Sequence, residues 1–350
     1  MIAPIIAFFN NKGGVGKTSL VYHLAWMYFD LGLRVVAADL DPQANLTAAF
    51  LDEDRLEAVW EETSIDRYNT VFKCINPLLN GIGDIATPEL EQIEDGLNLL
   101  IGDLRLSEFE DELSSQWSDC LDRKERAFQV VSAFGKVLQQ AALSSNADIV
   151  LVDLGPNLGA INKSALIASD YVIVPLSLDI FSLQGLKSIG QTLRQWREEW
   201  QKRIPKNPSA HLAIPQGQMQ AIGYTIFQHG VRFDRPVKAF QRWIELIPKI
   251  YNSEVIQQDG IGSNLSSDLN CLAILKDYQS LMSMALESHK PIFHLKPADG
   301  AIGAHVYAAK AVYKDFKELA QKIADRTGVI VPLQSLAEPT LQKESPSPLN

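Results

Sequence analysis

Apolar residues along this chain fall in short continuous runs rather than in strict alternation, notably at 5–9, 34–38, 97–101, 148–153, 172–176 and 221–227. A continuous run of this length reads as a strand buried on both faces, the habit of a parallel sheet. Between 19 and 31 the apolar side chains recur at helical spacing, and Gly32 closes that segment. A second long helix is expected from about 304 to 325, after a short final strand at 290–293. The fold class that follows is α/β: a mostly parallel twisted sheet flanked by helices, doubly wound.

The segment between the first strand and first helix is Asn11-Lys12-Gly13-Gly14-Val15-Gly16-Lys17-Thr18. Three glycines let the backbone curl with its N–H groups inward, so that they donate to phosphate oxygens at the next helix N-terminus. At this spacing Lys17 reaches the β- and γ-phosphates, and Thr18 places its hydroxyl on Mg²⁺. Asn11 stands where the general phosphate-loop pattern asks for its first glycine. The match is therefore to the variant Lys-Gly-Gly-x-Gly-Lys-[Thr/Ser], with an extra lysine at position 12.

Three further segments are carboxylate-bearing or follow in order. Asp39-Leu40-Asp41-Pro42-Gln43-Ala44-Asn45-Leu46-Thr47 comes after the second strand. The run at 148–153 ends in Asp153 and is followed by Gly155-Pro156-Asn157-Leu158-Gly159. A carboxylate at a strand's C-terminal end beside a phosphate loop can orient a Mg²⁺ shell or an attacking water. With the later stretches at 168–176 and 181–186, these motifs resemble the ParA/MinD group of P-loop ATPases, specifically the ParA/Soj partition branch. The resemblance covers roughly 1–50, 145–190 and 285–325.

The resemblance implies ATP and Mg²⁺ as ligands. Contacts to the nucleotide would come from Lys12, Gly13, Gly14, Val15, Gly16, Lys17, Thr18 and Ser19, with Thr18, Asp39 and Asp153 at the metal. Asp41 would position water, and Asp39 would tune the metal site or its loop. Lys12, the "signature" lysine, would reach across a homodimer interface to the partner's nucleotide, giving catalytic roles to Lys12, Lys17 and Asp41. Pro297, Ala298 and Asp299 would line the adenine pocket.

Composition agrees with a globular enzyme: 46% hydrophobic and 21% charged over 350 residues, enough for a substantial core. Length alone suggests two domains. The phosphate loop and Asp153 must meet in one sheet, however, so 1–328 reads as a single P-loop domain with insertions near 51–100 and 187–270. Cys74, Cys120 and Cys271 are odd in number and lack metal-ligand spacing, which points to reduced thiols and against an iron–sulfur relative in the same superfamily. With no long apolar run and no basic leader, the expected location is cytoplasmic and nucleoid-associated, without a membrane partner.

The net charge is −10, yet eleven cations lie between Lys187 and Lys249. Arg194, Arg197, Arg232, Arg235, Lys238 and Arg242 are the candidates for a local patch that binds DNA through phosphates, without sequence preference and with strong salt dependence. The bland alternative is a solvated helical face with side chains lying over Trp196, Trp200 and Trp243. The acidic run at 107–112 reads as a solvated helix face. Residues 329–350, rich in Pro and Ser, read as a flexible tail, which speaks against the amphipathic membrane helix of MinD-type proteins.

The expected function is an ATP-sandwich dimer that binds nonspecific DNA, is released by partner-stimulated hydrolysis, and serves plasmid or chromosome partition. A ParB-like or other cargo adaptor would be the partner. The alternatives are a positioning ATPase for a cargo other than DNA and a metabolic P-loop enzyme that uses the same deviant loop.

Overall fold

The structure is a computed structural model that describes residues 3–60, 70–228, 238–258, 265–276 and 278–332. These form the strands β1 (Ile5–Phe8), β2 (Val35–Asp39), β3 (Glu91–Glu94), β4 (Leu97–Leu100), β5 (Ile149–Asp153), β6 (Tyr171–Ser177), β7 (Gln220–Gln228) and β8 (Cys271–Lys276). Helices α1 (Lys17–Asp30), α2 (Asn45–Phe50), α3 (Glu53–Trp60) and α4 (Val71–Leu79) lie in the first half. They are followed by α5 (Phe109–Asp119), α6 (Glu125–Val131), α7 (Ala133–Ser144) and α8 (Ala160–Ile167). The later helices are α9 (Ile180–Arg203), α10 (Lys238–Ile250), α11 (Gln279–Glu287) and α12 (Ala304–Thr327).

All eight strands join one sheet in the order β3-β4-β2-β5-β1-β6-β7-β8. Only β3 runs antiparallel, against β4; every other pairing is parallel. The apolar runs are continuous because each strand supplies both faces. Ala7, Val36, Val150 and Val174 enter one core with α4 to α9, while Ile6, Val35, Leu151 and Ile173 enter the other with α1, α11 and α12. The β1 and β5 ends converge where the winding reverses, since β2 lies on one side of them and β6 on the other. That crevice is where ligands bind in open α/β sheets.

Two edges depart from the expected elements. Residues 290–293 form no strand; Ile292–His294 is a 3₁₀ turn. The last sheet position is taken by β8 instead, and the Ile292 N–H donates to His23 Nε2 (3.2 Å) rather than to a neighbouring strand. The acidic run does enter a helix, α5, preceded by a 3₁₀ turn at Leu104–Glu108. Of the expected tail, 333–350 lies outside the described residues. Among those described, no helix is long and apolar enough to cross a membrane.

His23 ties the phosphate-loop helix to the C-terminal segment. Its Nδ1 lies 2.7 Å from the Ser19 carbonyl, so that nitrogen carries the proton and Nε2 is free to accept from Ile292. The ring stacks on Phe316 of α12. Burial pushes the imidazole down to about 4, below an ordinary value of 6.5. Above pH 6.5 the ring is neutral in both states and has no effect. As pH falls from 6.5 to 4 the unfolded chain takes up a proton that the folded chain refuses, and about 3 kcal/mol of stability is lost. Urea unfolding at pH 7 and pH 4.5 should show this loss, and His23→Gln should flatten it. An unchanged slope in the variant would place the titrating group elsewhere.

Candidate nucleotide and metal site

β1 delivers the loop at 9–16 to the start of α1. Asn10 is buried and holds the loop to the sheet, its Nδ2 donating to the Pro175 carbonyl (2.6 Å) while its Oδ1 accepts from the Lys12 N–H (2.9 Å). Gly16 caps α1 in the left-handed region (φ 80), and a Cβ there would stand 2.9 Å from the Phe227 ring. Both conditions require glycine. Lys17 is buried at the helix start with its ammonium 3.3 Å from the Lys12 carbonyl. Burial lowers its pKa, against the pull of Asp153 and Asp41.

Asp39 and Asp153 are register partners on adjacent strands, at the C-terminal ends of β2 and β5. Thr18 Oγ1 donates to Asp153 Oδ2 at 2.6 Å, joining helix start to strand end. Asp153 Oδ1 is buried without a partner. Burial, and next the charge of Asp39, hold the Asp153 carboxyl well above the usual range. Asp39 accepts from the Thr47 N–H (2.8 Å), the Thr47 hydroxyl (2.9 Å) and the Asp41 N–H (3.2 Å). Burial nevertheless pushes Asp39 up to about 7. Asp41 is buried beside them and accepts from the Gln43 N–H (3.0 Å).

Three buried carboxylates thus face one buried ammonium, a shortfall of positive charge that a divalent cation would correct. The partnerless Asp153 oxygen and the Thr18 hydroxyl are the donors that fit Mg²⁺. Among the described residues no cluster of three His, Cys, Asp or Glu is arranged to hold a metal. Mg²⁺ needs none, because it keeps several waters and takes one or two protein oxygens together with phosphate.

The turn that carries Asp41 holds a non-glycine residue in an uncommon backbone conformation. Ala44 caps α2 in the left-handed region (φ 51, ψ 35), where glycine is the usual residue. The strain is tolerated because the Ala44 N–H donates to the Asp41 carbonyl (2.8 Å) and the methyl is fully buried.

Lys12 points elsewhere. Its ammonium pairs with Asp179, which also caps α9 by accepting from the Ser182 N–H (2.8 Å). The Lys12 side chain is 31% exposed, and its ammonium is held at the start of α9. Ser19 donates to Met282 Sδ of α11 (3.5 Å). Pro297, Ala298 and Asp299 form a 3₁₀ turn in which Asp299 accepts from Lys290 Nζ (2.7 Å) and the Lys296 N–H (2.9 Å). The Asp299 carboxylate is thus engaged in holding its own turn.

Of the six cations of the expected DNA patch, two have described side chains. Arg194 donates to the Glu254 carbonyl, and Arg197 to the carbonyls of Gln218 (2.9 Å) and Met219 (2.6 Å). The two guanidinium groups tie α9 to the helical turn at Tyr251–Ile256 and to the segment before β7. Arg232 and Arg235 lie outside the described residues, and the side chains of Lys238 and Arg242 likewise. Asn10, Thr47 and Asp179 are contributors that sequence reasoning passed over. Only Thr47 had a signal, as the last letter of the Asp39 motif.

The family model described as an AAA domain, AAA_31, matches residues 3–206. The chain is 31% identical over 201 residues to protein IncC of Escherichia coli, covering 54% of this chain and 45% of that one. It is 28% identical over 193 residues to the sporulation initiation inhibitor protein Soj of Bacillus subtilis, covering 55% of this chain and 66% of Soj. A plasmid partition protein of Borrelia burgdorferi bound to AMPPNP shares the fold, with TM-score 0.57 and 18% identity over 92% of this chain and 99% of that one. The chain spans about half the length of the first curated relatives it matches. With 204 of its 350 residues, positions 3–206, matched by that model, the chain belongs to the AAA_31 family.

Proposed function

We propose that the chain hydrolyses ATP as a Mg²⁺-dependent switch that dimerises around two nucleotides, binds nonspecific DNA in that state and leaves it on hydrolysis. The loop amides and Lys17 hold the phosphates, and Thr18 and Asp153 would hold Mg²⁺. The metal, when bound, neutralises charge on the β- and γ-phosphates. Asp41 orients the attacking water, and Lys12 of one protomer neutralises developing charge at its partner's nucleotide.

The observation that carries this reading is the pairing of Lys12 with Asp179 at the start of α9, which leaves its side chain 31% exposed. Exposed apolar side chains stand on the flanking segments: Leu158 after Asp153, and Ile180 and Phe181 at the start of α9. A second copy would cover them. DNA contact falls to the later cations, Arg232 to Arg242, since Arg194 and Arg197 are tied to backbone carbonyls.

The test is sedimentation with and without Mg·ATP, paired with retention on nonspecific DNA across a salt series. ATP-dependent dimers and ATP-dependent retention that falls steeply with salt are expected. Lys12→Ala should lose both together with turnover. A Lys12→Ala chain that dimerises and hydrolyses normally would refute the sandwich. Robust turnover with no retention at low salt would favour a metabolic enzyme instead.

A further inference from the structure

The acidic run at 107–112 does not behave as a uniformly solvated face. Glu108 and Asp111 are exposed, and Glu112 pairs with Arg126 (2.9 Å). Glu110, in the first turn of α5, turns inward. One of its oxygens accepts from the Ala160 N–H (2.5 Å) and the other from the Ile161 N–H (2.9 Å). These are the first two amides of α8, which would otherwise have no partner in their own helix. A carboxylate there also opposes the positive end of the helix dipole.

The position of that clamp matters because α8 begins where the loop after Asp153 ends. Within the loop, Asn157 Oδ1 accepts from the Gly159 N–H (2.9 Å), and Asn162 Nδ2 donates to the carbonyls of Gly155 and Asn157 (both 2.8 Å). Gly155 lies against Asp41, so close that a Cβ on it would stand 3.0 Å from Asp41 Oδ1. Pro156 lies beside Gly13 of the phosphate loop. At the other end a Cβ on Gly159 would stand 2.5 Å from Glu110 Oε1, so only glycine lets the carboxylate close on the amides. One turn further along α8, Lys163 lies over the rings of Trp117 in α5 (4.5 Å) and Trp196 in α9 (5.5 Å), so one ammonium bridges α5, α8 and α9.

We propose that Glu110 is a positioning residue for ATP hydrolysis: it pins the far end of the loop at 154–159 to α5, so that the loop presents Asp41 and the phosphate loop with one fixed wall. The proposal rests on the ATPase reading above. Glu110 touches neither phosphate nor water; it acts through the α8 amides and the loop they anchor. A loop anchored at both ends confines any response to the γ-phosphate to the few residues between Asp153 and Gly159. Released at one end, the loop samples poses in which Asp41 is no longer aligned, and turnover falls while phosphate binding at Lys17 persists.

The experiment compares the full chain with Glu110→Gln and Glu110→Asp, using Mg·ATP turnover at saturation, Mg·ADP affinity and amide hydrogen exchange. In Glu110→Gln, exchange at Ala160 and Ile161 should accelerate and turnover fall roughly tenfold or more, with Mg·ADP affinity held within about twofold. Glu110→Asp keeps the charge and should recover part of both the protection and the turnover. Wild-type turnover in a Glu110→Gln chain whose amides exchange faster would overturn the proposal, and so would unchanged exchange at those amides. If Glu110→Gln does not fold, Glu110→Asp decides alone: loosened amides with undiminished turnover overturn the proposal, and a matched loss supports it. A wild-type chain that binds Mg·ATP without hydrolysing it would sink the ATPase reading instead. Exchange at 160 and 161 would then still decide whether Glu110 holds the loop.

Discussion

Asp41→Ala should leave the chain folded and able to bind Mg·ATP while lowering turnover by about a hundredfold to a thousandfold, the range for removing a group that positions or activates a nucleophile. Little structure depends on the side chain that is lost. Asp41 Oδ1 accepts one hydrogen bond, from the Gln43 N–H. The turn is otherwise held by the Ala44 N–H on the Asp41 carbonyl and by the Asp41 N–H on Asp39 Oδ1, neither of which uses the Asp41 side chain. Lys17 keeps Asp153 as a compensating charge, so phosphate binding survives. The measurement is a single-turnover assay beside a binding titration with Mg·ATP. Undiminished hydrolysis in a variant that binds normally would assign water positioning to another group. A variant unable to bind would show that Asp41 serves affinity instead.

Asp153→Asn should move stability in opposite directions with and without ligand. In the free chain the carboxyl of Asp153 is held well above its ordinary range by burial and by neighbouring Asp39. The sign follows directly. Above pH ~4 the unfolded chain ionises this acid freely, whereas the folded chain resists, so folding bears a penalty that grows with pH until the folded group titrates too. The amide removes the penalty, and Thr18 can retain a hydrogen bond to it by rotating its hydroxyl. The melting temperature without nucleotide should therefore rise by a few degrees, at roughly 2 °C for each kcal/mol relieved.

With Mg·AMPPNP the order should invert. Wild type gains about 2.7 kcal/mol at a hundredfold excess of ligand over Kd. The variant lacks the anionic oxygen that would hold Mg²⁺, and most of that gain is lost. Thermal scans at pH 7.5 with and without Mg·AMPPNP decide the matter. A lower melting temperature in the free variant would mean that the partnerless Asp153 oxygen is not the source of strain.

Local chemistry was the legible part of this chain. The positions of the phosphate loop, of the two aspartates at the β2 end and of Asp153 could be anticipated because glycine spacing and a strand-terminal carboxylate are properties of a few consecutive residues. Contacts made across the fold left no such trace. Asp179 meets Lys12, and Glu110 meets Ala160, only after separate strands and helices are assembled. Arg194 and Arg197 looked like free cations because their carbonyl partners sit in a helical turn and a connecting segment farther along the chain. The edge strands failed for another reason. Glu91–Glu94 is mostly polar and carries no strand pattern, whereas 271–276 is a longer apolar run than 290–293 and was passed over in favour of the shorter one.

The pairing of α1 with α12 bears on how the protein is made. Tyr28 in α1 donates to the Ala320 carbonyl in α12 (2.9 Å), and His23 meets Ile292 and Phe316. In a nascent chain the helix behind the phosphate loop would stay bare on one side until residue 327 had left the ribosome. The apolar residues of α1 would meanwhile wait without their partners, a stretch of synthesis in which a holding chaperone would find its target in α1.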